Sequence, residues 1–295
     1  MDVITHALFI SAVFIMLGRH DLVPYGILGA VLIDFDVAFR LLSDNYPGLY
    51  MFTHGGITHS ISGAVAVSVI GLVAAVIISA LLPVNNSWRM SLTGIGLLAV
   101  LCGAMSHLVF DYLAYPGIPL FYPFTDLKYT AGIFAGPSIA ISITSAVFIG
   151  LLYFRKAGNE HLILYLGAVL LFVVLFAGIK LYAGSISDGR TIPTMNPAYW
   201  IIVDESDTAY RITCLDLISG SSEAEEFRKY TNIIQPELLS IDITPELKRL
   251  KYHSYAVTVE KYGEYIIFKD PLRENGYLWY PPYFKTLAIK KHDSL

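Results

Sequence analysis

Seven side chains able to ligate a metal ion lie within or beside the apolar stretches of this chain: His6, Asp34, Asp36, His54, His59, His107 and Asp111. Imidazole nitrogen with carboxylate oxygen is the donor mixture that suits zinc, with manganese and iron as further options. An aspartate near a bilayer centre costs about 2.5–3.5 kcal/mol on the insertion scale, so three uncompensated ones would cost on the order of 8–10 kcal/mol. That is comparable to the stability of a whole domain. Arg40 is the one cation beside these carboxylates in sequence. Something else must neutralise them, and one to three divalent ions would do so.

Spacing refines this reading. His107 and Asp111 are four residues apart, which puts both on one face of a helix. His54 and His59 are five apart, about 140° around a regular helix, so they cannot share a face. Gly55-Gly56 supplies a bend that would let both turn toward one ion. Asp34-Phe35-Asp36 needs an extended or distorted backbone to aim two carboxylates the same way. Taken singly, each has an ordinary explanation: a packed histidine, an interfacial cap, a side-chain hydrogen bond. Together they fall near one membrane face once helix directions alternate, and four of the eight histidines are among them. His20, His161, His253 and His292 are read as ordinary histidines.

The elements that must position them follow from composition. The 295 residues are 55% hydrophobic and 15% charged, with a mean hydropathy of +0.58. Residues 1–183 hold 8 acidic and 7 basic side chains, and 184–295 hold 16 and 13. The first part is thus a multi-span helical membrane domain of about 5–6 helices, and the second a small water-soluble domain. Apolar stretches run over about 3–17, 22–42, 57–82, 91–115, 132–154 and 161–183. The last four reach the roughly 20 residues of a span. The first is short, and the second is expected to bend where it carries Asp34 and Asp36. The first reads as a retained helix, since no basic residue precedes it. The polar breaks at Arg19, Arg89 and Arg155-Lys156 carry four cations against Arg40, Lys128 and Lys180 on the other side. If all six stretches span, the positive-inside rule makes the site and the C-terminal domain extracytoplasmic.

Residues 184–197 read as a Gly/Ser/Pro-rich linker and 198–295 as a β-rich domain. In that domain 199–203, 210–217, 255–260 and 265–269 are strand-like, and Lys261-Tyr262-Gly263-Glu264 is a hairpin turn. Thr244-Pro245-Glu246 starts a short helix. The aromatics Tyr199-Trp200 and Tyr277-Leu278-Trp279-Tyr280 serve as core. No catalytic motif is present there, so the chemistry is expected before residue 135. Cys102 and Cys214 give no disulfide framework. No basic tract supports nucleic-acid binding.

Four motifs recur in a fixed order: Asp2-Val3-Ile4-Thr5-His6, Leu32-Ile33-Asp34-Phe35-Asp36, His54-Gly55-Gly56-Ile57-Thr58-His59-Ser60 and Ser106-His107-Leu108-Val109-Phe110-Asp111. Pro116-Gly117-Ile118-Pro119-Leu120-Phe121-Tyr122-Pro123-Phe124 follows them. Over roughly residues 1–135 the chain resembles the membrane-bound metal-dependent hydrolase family, the YdjM-like, LexA-regulated inner-membrane hydrolases. The resemblance implies distant kinship with zinc-dependent phospholipase C and P1-type nucleases, whose metals are held by His and Asp. The family's His-Arg-Gly has Gly55 in place of arginine here, and Gly136-Pro137-Ser138 stands where many members carry an aspartate.

The expectation is metal-assisted hydrolysis of an ester or phosphodiester in a lipid, at a site that membrane lipid reaches by lateral diffusion. Asp36 or Asp111 would bridge ions or orient water, with Asp34 a supporting group that holds a histidine tautomer. Phe121, Tyr122 and Phe124 would form an aromatic wall beside the site or a simple anchoring belt, with Lys128 and Tyr129 as phosphate contacts or interfacial anchors. Two other readings compete. A scaffold would use the metal structurally, and a divalent-cation transporter would place such residues nearer the midplane within a repeat.

Overall fold

The computed structural model describes residues 2–81, 89–155, 158–186, 188–233, 243–278 and 286–290. The polar break at Asn85 to Trp88, Lys156, Trp279-Tyr280 and His292 lie outside them. The chain forms two compact units, 1–40 with 51–180 and 41–50 with 181–295.

The first unit is helical. It comprises α1 (Val3–Met16), α2 (Val23–Leu32), a 3-10 segment (Ile33–Phe39), a 3-10 turn (Ile57–His59), α4 (Ile61–Leu81), α5 (Gly94–Leu113), α6 (Ile139–Arg155) and most of α7 (Asn159–Ile186). The 3-10 segment runs without a break into α3 (Arg40–Asn45), which passes to the second unit. Among the described residues, four helical segments are long and apolar enough to cross a membrane: His20–Asn45, Ile61–Leu81, Gly94–Leu113 and Glu160–Ile186. At 14 and 17 residues, α1 and α6 are shorter. The stretch 132–154 thus falls short of the expected span. Phe134–Ala135 forms a strand, β2, parallel to β1 (Ala114–Tyr115), and Pro137 keeps the residue before it out of a helix. The outward faces carry large apolar side chains such as Ile70, Leu98, Leu164 and Leu170, a surface suited to lipid tails.

Helices α2 and α5 touch backbone to backbone. A Cβ on Gly29 would stand 1.9 Å from the Val100 carbonyl oxygen, and one on Gly103 would stand 2.1 Å from that of Gly26. Only glycine allows this approach, the small-residue packing that associates helices in lipid. Ala30, Val100 and Ala104 fill the seam with no exposure. A second layer packs α6 and α7 through Ile141, Phe148, Tyr165 and Val169, with the Phe148 and Tyr165 rings stacked at 4.6 Å.

The second unit is β-rich, as the composition indicated. One sheet has the order β3 (Arg190–Pro193), β4 (Tyr199–Glu205), β5 (Ala209–Asp216), β6 (Gly220–Ser221), with β7 (Glu225–Arg228) also on β5. The other has the order β11 (Thr286–Lys290), β10 (Tyr265–Lys269), β9 (Thr258–Tyr262), β8 (Tyr230–Thr231). The hairpin turns at Gly263, whose φ of +58° suits glycine. Strand β3 lies inside the stretch read as linker, and its Ile192 is fully buried. Tyr255 to Val257 precede β9 rather than belonging to it. Trp200 is core, 1% exposed, with its indole N–H donated to the Pro197 carbonyl at 3.0 Å.

Helix α8 (Pro245–His253) starts where Thr244 accepts a hydrogen bond from the Leu247 N–H at 3.3 Å. Leu247 and Leu250 pack on Val259, Ile266 and Phe268 of the second sheet. The short helix α9 (Pro271–Glu274) is capped by Asp270, which also pairs with buried Arg273 at 3.2 Å.

Candidate metal centre

The 3-10 winding of Ile33–Phe39 solves the Asp34/Asp36 problem. At three residues per turn, residues i and i+2 straddle the direction opposite to i+1. Asp34 and Asp36 therefore turn inward together, 9% and 2% exposed, while Phe35 points out at 65%. In an α-helix the two carboxylates would stand about 200° apart, on opposite faces.

Four atoms converge: Asp34 Oδ1, His59 Nε2, His107 Nε2 and Asp111 Oδ2. Asp34 lies 3.4 Å from His59 and 3.4 Å from His107. Asp111 lies 3.3 Å from His59 and 3.1 Å from His107, and the two histidine nitrogens are 3.3 Å apart. Donors about 2.0–2.2 Å from a tetrahedral zinc stand about 3.3–3.6 Å from one another. Five edges of the group match that figure to within about 0.2 Å. Asp34 Oδ1 is buried and makes no hydrogen bond among the described residues. A buried carboxylate oxygen left so is unusual and suits an ion as its partner. The residues present fit a divalent metal.

The neighbours prepare the donors. His107 Nδ1 lies 2.7 Å from the Ala30 carbonyl, which can only accept, so Nδ1 carries the proton and Nε2 presents its lone pair. His59 Nδ1 lies 3.0 Å from Asp36 Oδ2, the carboxylate–histidine arrangement that fixes a metal-binding tautomer. Thr58 donates its hydroxyl to the same oxygen at 2.6 Å, and His54 Nδ1 stands 2.9 Å from Asp36 Oδ1. Burial disfavours a charged His59 ring. The Asp111, Asp34 and Asp36 carboxylates nevertheless crowd its two nitrogens at 3.3, 3.4 and 3.0 Å. The pocket calls for positive charge at its centre.

The placement of the seven predicted residues is therefore uneven. Asp34, not Asp36, belongs to the four-atom group, and Asp36 takes the supporting position expected of Asp34. Asp36, His54 and His59 form a second, adjoining donor group, with the His54 side chain 42% exposed at its edge. Gly55, at φ +75°, makes the turn, but His54 does not join His59 in the first group. His6 is fully buried outside both groups. It stacks on His107 at 3.7 Å and has its Nε2 3.6 Å from Asp111 Oδ1. Neither of its ring nitrogens is hydrogen-bonded among the described residues. Thr58 and the Ala30 carbonyl escaped the sequence reading. Thr58 adjoins His59 and so was open to suspicion, whereas a backbone oxygen on another helix leaves no trace in residue types.

The loop after α5 folds back where Ile118 and Tyr129 exchange backbone hydrogen bonds at 3.1 and 2.9 Å. The Phe121 and Tyr129 rings meet at 4.9 Å, and the Tyr122 carbonyl accepts from the Ser62 hydroxyl at 2.6 Å. Tyr122, Lys128 and Tyr129 are half-buried, whereas Phe121 and Phe124 are 49% and 93% exposed. None of the four predicted substrate-contact residues, Phe121, Tyr122, Lys128 and Tyr129, contributes to either donor group.

A family model described as YdjM inner membrane protein matches residues 1–186. No curated protein and no solved structure matches the chain.

Proposed function

The chain belongs to the YdjM inner membrane protein family, and from that premise we propose that it is an integral-membrane metal-dependent hydrolase acting on a phosphodiester or ester bond of a lipid. The observation that carries the reading is the convergence of Asp34, His59, His107 and Asp111 at the edge lengths of a tetrahedral zinc site. Zinc is the first choice of metal, with manganese or iron as alternatives. When bound, such an ion acts as a Lewis acid and brings the pKa of water toward about 7.

The protein's own part is to hold donors and handle protons. Asp36 and the Ala30 carbonyl keep the Nε2 atoms of His59 and His107 unprotonated and aimed inward. His54, half-exposed and hydrogen-bonded to Asp36, is the group able to exchange a proton with substrate or solvent. Asp111 is two residues from the end of α5 and His107 six, about 3 and 9 Å along the axis. A centre at that depth lies within reach of lipid head groups, which favours a lipid substrate. It also disfavours transport, whose sites sit near the midplane. With α1 and α6 crossing the membrane alongside the four longer segments, as we propose, the charge balance of the loops puts this face on the extracytoplasmic side.

One observation favours a second reading. Four protein donors around one point would close a tetrahedron, as structural zinc sites do, and would make the protein a metal-tied scaffold. Metal analysis of the full chain in detergent, followed by a panel of phospholipids cleavable at acyl or phosphodiester bonds, separates the two. Stoichiometric metal with hydrolysis lost on chelation is the expected result. Metal without turnover on any substrate supports the scaffold, and absence of metal after reconstitution with zinc, manganese and iron refutes both.

A further inference from the structure

Between Leu162 and Ser187 the chain carries one charged side chain, Lys180. It lies in α7, within the apolar segment Glu160–Ile186 and six residues from its end, about 9 Å along the axis. A lysine this near the end of a span ordinarily runs along the lipid face until its ammonium reaches water. Lys180 is turned the other way. Phe176, four residues earlier, and Val169, eleven earlier, share its side of the helix, and both are buried in the second layer of the membrane domain. Lys180 is half-buried, and its ammonium donates to the Ala131 carbonyl.

The turn that receives the ammonium is firmly held. The Ala131 N–H donates to the Tyr112 carbonyl at 2.7 Å and the Ile133 N–H to that of Leu113 at 2.8 Å, which ties the turn to the end of α5 just beyond Asp111. The Thr130 hydroxyl accepts from the Gly132 N–H at 2.7 Å and donates to the Ala114 carbonyl at 2.6 Å. Gly132 is left-handed at φ +56°, and a Cβ there would stand 3.3 Å from the ammonium nitrogen. Glycine thus makes the turn and leaves the ammonium uncrowded. What this place lacks is a negative charge. An ammonium has three donors, and the Ala131 carbonyl engages one of them without cancelling the charge. Among the described residues no carboxylate stands within ion-pair distance of Lys180.

We propose that Lys180, set against the Thr130–Gly132 turn, binds the phosphate of a phospholipid head group. An inward-facing cation within a span calls for an anionic partner, and basic pockets between membrane helices take phosphate head groups. The ammonium supplies a charge-assisted hydrogen bond to a phosphate oxygen, and its remaining donors are available for it. A free phosphate ion offers the same chemistry. The setting favours the lipid, because Lys180 lies inside an apolar segment whose outward side chains Leu171, Val174 and Leu175 are exposed as lipid-facing residues are. Lys180 contributes to neither donor group, so the site holds with or without a metal and with or without hydrolysis.

The test uses the full chain in dodecyl maltoside, with a chelator present so that no lipid is turned over. Native mass spectrometry counts bound dioleoylphosphatidylglycerol, with dioleoylglycerol, which lacks the phosphate, as the neutral comparison. Lys180→Met should weaken phospholipid retention by roughly 10–100-fold, the worth of one hydrogen bond to a charged group. Lys180→Arg should keep it. Lys248→Met removes an exposed cation of the β-rich unit and should leave it unchanged. Equal retention by Lys180→Met and the unsubstituted chain overturns the site and leaves the metal reading standing. An equal loss with Lys248→Met reduces the effect to overall charge and overturns the site as well. Inorganic phosphate that displaces the lipid at equimolar concentration overturns the lipid as occupant in favour of the free ion. If Lys180→Met does not fold, a phospholipid with a diazirine on its head group decides on the unsubstituted chain. Labelling of Lys180 or of residues 129–132 supports the site, and labelling confined to other segments overturns it.

Discussion

Removing Asp34 and removing Asp36 should have unequal consequences, and the inequality tests the geometry of the centre. Asp34 Oδ1 is one of four converging donors, whereas both Asp36 oxygens are engaged by His54, Thr58 and His59. Structural zinc sites bind with about 10–16 kcal/mol, which shared over four donors is about 2.5–4 kcal/mol each. At about 1.4 kcal/mol per decade, Asp34→Ala should therefore weaken zinc by roughly 60–700-fold. Asp36→Ala takes away the partner that holds the His59 tautomer, an effect of about 10–100-fold. The ranges meet, so affinity alone does not separate them. Cobalt(II) absorption does. Asp34→Ala replaces a protein oxygen by solvent and should change the coordination number, while Asp36→Ala keeps the donor set and should shift the bands modestly. Isothermal titration and visible spectra on the same samples give both readouts. Wild-type affinity for Asp34→Ala, with metal lost outright in Asp36→Ala, would refute the assignment and restore Asp36 as the ligand.

Three other outcomes follow from the same structure. His54→Ala should keep zinc within about tenfold while lowering turnover, since its ring stands outside the four-atom group; complete metal loss by elemental analysis would make it a ligand. Gly103→Ala places a methyl 2.1 Å from the Gly26 carbonyl and should lower the thermal stability of the membrane domain by about 1–3 kcal/mol. An unchanged melting temperature in detergent would mean that α2 and α5 are not packed backbone to backbone. Asp270→Ala leaves Arg273, 1% exposed, without its carboxylate and should cost about 3–5 kcal/mol, read by denaturant unfolding through Trp200 fluorescence; a change below 1 kcal/mol would contradict the buried pair.

Residue type made the centre legible in the sequence, because buried carboxylates and imidazoles have few other uses in an apolar helix. His107 and Asp111 were the clearest, since their spacing alone puts both on one side of α5. Backbone winding hid the roles of Asp34 and Asp36. A 3-10 segment and an α-helix can share one sequence, yet they turn residues i and i+2 by different angles, and here that difference turns both carboxylates inward. The span expected over 132–154 was shortened by strand pairing between Phe134–Ala135 and Ala114–Tyr115, a contact made by backbone atoms. Strand β3 was lost in a composition typical of linkers because edge strands tolerate proline and polar residues. Segment 41–50 is the largest surprise. It looks like a polar break between helices, and its partner, α8, is some two hundred residues away in sequence.

The glycines of α2 and α5 connect packing to chemistry more directly than any ligand does. The proton on His107 Nδ1 is fixed by the Ala30 carbonyl at 2.7 Å, and this contact exists because Gly29 and Gly103 let the two backbones meet. A helical carbonyl is normally engaged four residues onward. At Ala30, whose carbonyl has a second lone pair to offer, the oxygen faces His107 on α5. The change to 3-10 winding after α2 turns Asp34 and Asp36 inward. The irregularity at the end of α2 thus sets the direction of both carboxylates, and the close approach of α2 to α5 sets the tautomer of His107. It follows that the small-residue seam, not the polar cluster, determines whether the donors meet at a distance an ion can bridge.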